Sequence, residues 1–137
     1  MLGGTSFQRA MHVLAVAGLS LFFVTGACTA DPSDYRLELV DKTVKAGAGA
    51  IIRIRVVNIK TQNSVAGADL QVITLDMSPE GMASMIAKVS PTPSSNSEVH
   101  AFVADLTMAG RWALSLEATI PGESAPLREK LLLKARH

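Results

Sequence analysis

Ala50-Ile51-Ile52-Arg53-Ile54-Arg55-Val56-Val57-Asn58-Ile59 places Ile52, Ile54 and Val56 on one side of an extended chain and Arg53 and Arg55 on the other. Successive side chains of a strand leave opposite faces, so a period of two marks a strand with one apolar and one charged face. Upstream, Tyr35, Leu37 and Leu39 alternate with Arg36 and Glu38 in the same way, while Lys42 to Ala50, with Gly47, Ala48 and Gly49, has no period and reads as a loop. Downstream, Asn58 to Gly67 is a second, polar loop. Asp69 to Leu75 carries apolar residues on both faces and reads as a central strand. Ser84 to Ser90 sets Met85, Ala87 and Val89 on one face, and Pro91 to Ser97 is a loop by composition.

The remaining chain continues the pattern. Glu98 to Leu106 aligns Phe102, Ala104 and Leu106; Arg111 to Ile120 aligns Trp112, Leu114, Leu116 and Ala118; Leu127 to Ala135 aligns Leu131 and Leu133. Thr107 to Gly110 and Pro121 to Ser124 supply the turns between them. No helical period of three to four persists. Seven short strands with turn residues between them predict an all-β, immunoglobulin-like sandwich, with Trp112 filling the space between its sheets.

Residues 1–30 read as a signal segment: Arg9 and His12 precede the apolar run from Val13 to Val24, which is shorter than the roughly 18 to 20 residues that span a bilayer. Thr25-Gly26-Ala27-Cys28 has the small residues and cysteine of a bacterial lipoprotein signal, which makes Cys28 a candidate lipidation site; Ala30, two positions after small Cys28, fits ordinary signal-peptidase cleavage, which would remove it. Both alternatives stand. Residues 31–137 then form a single domain, placed in the bacterial periplasm or anchored as a lipoprotein facing the envelope, touching the membrane only through a lipid anchor or an uncleaved signal. Cys28 is the only cysteine, so neither an intramolecular disulfide nor a zinc-thiolate site is available. The 12 Asp and Glu meet 13 Lys and Arg, one of them Arg9 in the signal. So balanced a charge argues against nucleic acid as a partner.

Asp76-Met77-Ser78-Pro79-Glu80-Gly81-Met82-Ala83-Ser84-Met85 interrupts the β pattern with three methionines around a turn made by Pro79 and Gly81. Thioether sulfur is a soft ligand that suits Cu(I), so Met77, Met82 and Met85 are candidate metal ligands; packing under the end of the sandwich is the alternative role. Alternating strand directions bring Lys42–Ala50, the methionine turn and Thr107–Gly110 to one end, which adds Met108 to the candidates. His100 starts its strand roughly 20 Å from that end at about 3.3 Å per residue and should lie outside the site as a partly buried, hydrogen-bonded histidine. Asp76 and Glu80 offer too few oxygens for calcium. A nucleophile, base and orienting group do not assemble, nor does a phosphate loop or an HExxH helix, so no enzyme is expected.

Asp76 to Met85, together with Leu106-Thr107-Met108-Ala109-Gly110-Arg111-Trp112-Ala113-Leu114, resembles the YtkA-like and FixH-like families of exported β-sandwich domains, and Gly67-Ala68-Asp69-Leu70 also fits their layout. The resemblance implies copper or other heavy-metal handling and a partner in metal efflux or oxidase assembly. Histidine is absent from this methionine turn, and Glu80 stands where a small residue or methionine is expected. The expected function is an exported, non-catalytic binding module that handles Cu(I) or another soft metal or assists such an envelope partner. The alternative is a metal-free sandwich that binds another envelope protein or serves structurally.

Overall fold

A computed structural model describes residues 34–137. The expected signal segment and Cys28 lie outside the described residues. Nine strands follow in order: β1 Tyr35–Leu39, β2 Thr43–Lys45, β3 Gly47–Asn58, β4 Asp69–Met77, β5 Met82–Ile86, β6 Val89–Thr92, β7 His100–Leu106, β8 Gly110–Thr119 and β9 Leu127–Arg136. A 3-10 turn, Ser78–Glu80, joins β4 to β5. The strands form a four-stranded sheet in the order β1-β3-β7-β6 and a five-stranded sheet in the order β2-β9-β8-β4-β5. Every neighbouring pair is antiparallel except β2 with β9. Two such sheets face to face, with the chain crossing from one to the other between β1 and β2, make the immunoglobulin-like sandwich that the alternation predicts.

The two strands beyond the expected seven arise where the chain changes sheets. Val40 N–H donates to Arg53 O in the first sheet, and two residues later Lys42 O accepts from Lys134 N–H in the second, so the stretch read as one loop contains β2 and the start of β3. The second change is sharper. Ala87 N–H donates to Leu75 O in one sheet while Lys88 O accepts from Asp105 N–H in the other. The single strand expected over Ser84 to Ser90 is therefore two, β5 and β6, and β6 runs into the expected loop as far as Thr92. β6 accommodates Pro91, which has no N–H, because it is an edge strand bonded only to β7.

The inward faces follow the sequence pattern. Ile52, Ile54 and Val56 of β3, Phe102, Ala104 and Leu106 of β7, and Trp112, Leu114 and Leu116 of β8 pack into one core. Trp112 is 1% exposed, and its indole Nε1 donates to Met108 O at 3.2 Å. Burying each large apolar side chain contributes about 1.5–3 kcal/mol, which lets a chain of this size hold together without disulfides. β4 differs from expectation. A bulge between Val72 and Thr74 shifts the alternation by one residue and brings Leu75 and Met77 to the inward face with Leu70, while Ile73 stays outward, 56% exposed, so β4 buries one face rather than two.

Candidate functional site

The strand directions bring the methionine turn, the β2–β3 junction and the β7–β8 turn to one end of the sandwich, and place the start of β7 with His100 at the other. Met77 and Met82 face each other as Cα partners across β4 and β5. Their side chains have different surroundings. Met77 is 1% exposed and belongs to the core; Met82 and Met85 are half-buried against it; Met108 is 41% exposed. Met108 thus serves the core through its backbone, by accepting the Trp112 indole, while its side chain faces outward.

The turn is shaped by residues flanking the sulfurs. Asp76 accepts the Ser78 N–H at 2.9 Å on Oδ1 and the Thr74 hydroxyl at 3.4 Å on Oδ2, and Ser78's hydrogen bonding holds the Asp76 carboxyl below its ordinary value. Gly81 closes the 3-10 turn in the left-handed region at φ 75°, its N–H donating to Ser78 O. Glu80 then reaches across to β8. Its Oε1 accepts Arg111 Nε at 2.9 Å and Arg111 N–H at 3.0 Å, while Arg111 Nη2 donates to Pro79 O at 3.1 Å. The Arg111 guanidinium, and next its backbone N–H, lower the Glu80 pKa, and Glu80 raises that of Arg111.

Gly110 explains how closely the turn sits. At φ +140° it has a backbone that suits glycine, and a Cβ there would lie 2.8 Å from Met77 Cε. The methionine turn is therefore clamped to β8 by a buried thioether against glycine on one side and by a carboxylate–arginine fork on the other. Glu80 stands out in the sequence as a departure from the family's layout, but nothing there joins it to Arg111. Their separation of 31 residues carries no local signal for the pair.

At the far end His100 is partly buried, as expected, but its Nε2 has no hydrogen-bond partner, contrary to the bonded histidine anticipated above. Burial pushes its pKa down, against the opposing pull of Asp69. It borders a cavity of about 310 Å³ with Asp69, Ser94 and Asn96. Among the described residues no group of three or more His, Cys, Asp or Glu is placed to hold a metal ion. The four methionines lie at one end, with Met77 enclosed and the other three within reach of the surface to differing degrees.

Fold and turn together describe an immunoglobulin-like β-sandwich domain. The chain belongs to the YtkA-like family, whose profile matches residues 29–117. That match takes in the methionine turn, Gly110, Arg111 and Trp112, and stops before β9. No curated protein matches the chain. Among solved structures, the Lin-41 filamin domain aligns with a TM-score of 0.42 at 15% identity, over 73% of this chain and 91% of its own. The ZirS C-terminal domain aligns with a TM-score of 0.44 at 10% identity, over 100% and 88%. The Escherichia coli adhesin FdeC aligns with a TM-score of 0.39 at 18% identity over 76% of this chain, which spans 31% of that adhesin.

Proposed function

We infer that this chain is an exported, non-catalytic sandwich module that works in the bacterial envelope by binding another protein, of the metal-efflux or oxidase-assembly kind that the family resemblance implies. The observation that carries this reading is a well-packed sandwich whose strand edges, among the described residues, are unpaired beside exposed Leu132 and Ile86. An unpaired edge is a ready template for another chain. The apolar run from Val13 to Val24 supports export, and Cys28 is either lipidated, tethering the sandwich at the membrane, or lost with the signal. The reading is tested with the full chain in cells, carrying a photoreactive residue in place of Leu132, Ile86 or Met108. A discrete adduct with one identified envelope protein from at least one position is expected; absence of an adduct from all three overturns the reading.

A second reading is Cu(I) handling at the methionine end. It is favoured by half-buried Met82 and Met85 at the same end as exposed Met108, with Met77 behind them. An anaerobic Cu(I) competition titration tests it. One-to-one binding that disappears in Met77→Leu/Met82→Leu, which preserves volume and apolar character, would support a copper site; no binding by the unaltered chain would remove it.

A further inference from the structure

Among the described residues no strand ladder joins β1 to the first part of β9 on one flank of the sandwich. β2 pairs with β9, among the described residues, only at Lys134, Ala135 and Arg136, so the backbone of Leu127 to Leu133 has strand pairing with β8 alone. The bonds to β2 set which backbone groups face outward: Lys134 N–H donates to Lys42 O at 3.0 Å, and Arg136 O accepts Ala46 N–H at 2.6 Å. Backbone groups two residues apart leave a strand on the same side, so the N–H and C=O of Arg128, Lys130 and Leu132 face this flank. The pairing of β9 with β8 has no register shift, and β9 contains no proline, so the edge is straight. Opposite it, Leu37 N–H of β1 donates to Glu129 Oε2 at 2.8 Å. A groove of about 530 Å³ opens there, lined by Leu37, Leu39, Leu131, Leu132 and Lys42 and by Glu38 with its ion-paired Arg36 and Arg55.

The outward face of β9 is one-sided in charge in a chain whose formal net charge is only +1. Arg128, Lys130, Lys134 and Arg136 share one face of β9, with Leu132 between them, 60% exposed; Lys42 and Lys45 lie at β2. Among the described residues only Arg128 of these cations is in an ion pair, with Glu117 at 2.6 Å.

We propose that this flank receives an extended segment of a partner protein, with alternating acidic and apolar side chains, added as a strand alongside Leu127–Leu133 of β9. The proposal rests on the protein-binding reading above and names its surface and the chemistry of its partner. Seven residues of edge offer about 23 Å for pairing at roughly 3.3 Å per residue. Alternation sorts the incoming side chains. Apolar ones enter the groove beside Leu37, Leu39 and Leu131, and acidic ones lie beside Lys130 and Lys134 around Leu132. A second copy of this edge is disfavoured, because pairing would set two basic rows side by side. The Glu129–Leu37 bond keeps the two sheets joined behind the added strand.

The test uses the purified full chain, labelled with nitrogen-15, and two synthetic peptides of about ten residues. Both peptides carry the same apolar residues at alternate positions, with Glu between them in one and Lys in the other. The Glu peptide should shift the amide resonances of Arg128, Lys130 and Leu132 and slow their hydrogen exchange by about tenfold or more, while the Lys peptide does neither. Lys42→Glu/Lys130→Glu, two exposed changes that leave the core intact, should reverse this preference. Equal responses to both peptides, shifts confined to other strands, or no response at β9 would overturn the proposal. Protection of β9 by phosphatidylglycerol vesicles, with no response to the Glu peptide, would overturn it in favour of a membrane-facing edge. If the peptides fail while photocrosslinking from Ile86 or Met108 yields an identified partner, the flank falls and the protein-binding reading stands.

Discussion

The two ends of the sandwich settle their polar groups differently. At the methionine end each carboxylate of the turn is occupied: Asp76 caps Ser78, and Glu80 grips both the backbone and the side chain of Arg111. At the opposite end His100 Nε2 and Glu123 Oε2 are buried without partners. The methionine end, conspicuous for its sulfur, is the end whose turn carboxylates are hydrogen-bonded; the His100 end holds the two buried atoms that have no partner among the described residues. A soft side chain in a turn can thus be a fitted part of the core, and Met77 is one.

The largest effect expected at the methionine end separates two of its own residues. Met77→Ala should lower unfolding free energy by about 2–5 kcal/mol in urea titrations, whereas Met108→Ala should cost no more than about 0.5 kcal/mol. Equal losses would erase the distinction between an enclosed and an exposed sulfur. Next comes Gly110→Ala, expected to cost about 1–3 kcal/mol because the new methyl would press on Met77 Cε and the backbone there suits glycine. Combined with Met77→Ala it should cost less than the sum, since the collision is then gone.

The smallest effects are set by pH and distinguish the ends by window. Burial lowers the His100 pKa below its ordinary 6.5, so protonation favours the unfolded chain; the stability this group confers is present above 6.5 and is lost as pH falls through the lower folded value. His100→Gln should therefore flatten the decline in urea midpoint between about pH 7 and 5. Hydrogen bonding to Arg111 lowers the Glu80 pKa below 4.5, so its contribution is full above 4.5 and is lost as pH falls through the lower folded value. Glu80→Gln should leave the decline above pH 5 unchanged and soften it only at more acid pH. If Glu80→Gln altered the near-neutral window instead, the two ends would not be electrostatically separate.

Much of the fold was legible in the alternation, because a buried face demands a repeat of two wherever a strand crosses the core. Ile52, Ile54, Val56, Trp112, Leu114 and Leu133 are inside, as their spacing predicts. The sorting of loops to two ends was legible as well, since antiparallel neighbours must alternate in direction. The sheet changes at Val40–Lys42 and Ala87–Lys88 were not, because a chain stepping from one sheet to the other keeps its extended pattern while its hydrogen-bond partners change. Leu75 misled for a related reason: a bulge resets the period by one residue, and so moves Leu75 to the inward face, without a local signature.

The candidate site was legible as a set of residue types and not as an arrangement. Met77, Met82, Met85 and Met108 do gather at one end, yet the bond that shapes the turn joins Glu80 to Arg111. The basic face of β9 could have been read from Arg128, Lys130, Lys134 and Arg136 at alternate positions, but the same strand drew notice for its leucines.

By itself the amino-acid sequence determined the strands that build the core, the aromatic at its centre and the end where the methionines meet, because apolar burial follows a period that local spacing reveals. Only the tertiary structure decided which strand edges remain unpaired, which methionine is enclosed, and which cations share one flank. Those outcomes depend on pairings between residues far apart in the chain, such as Leu37 with Glu129 and Glu80 with Arg111, whose free energy exists only once the two sheets have closed on each other.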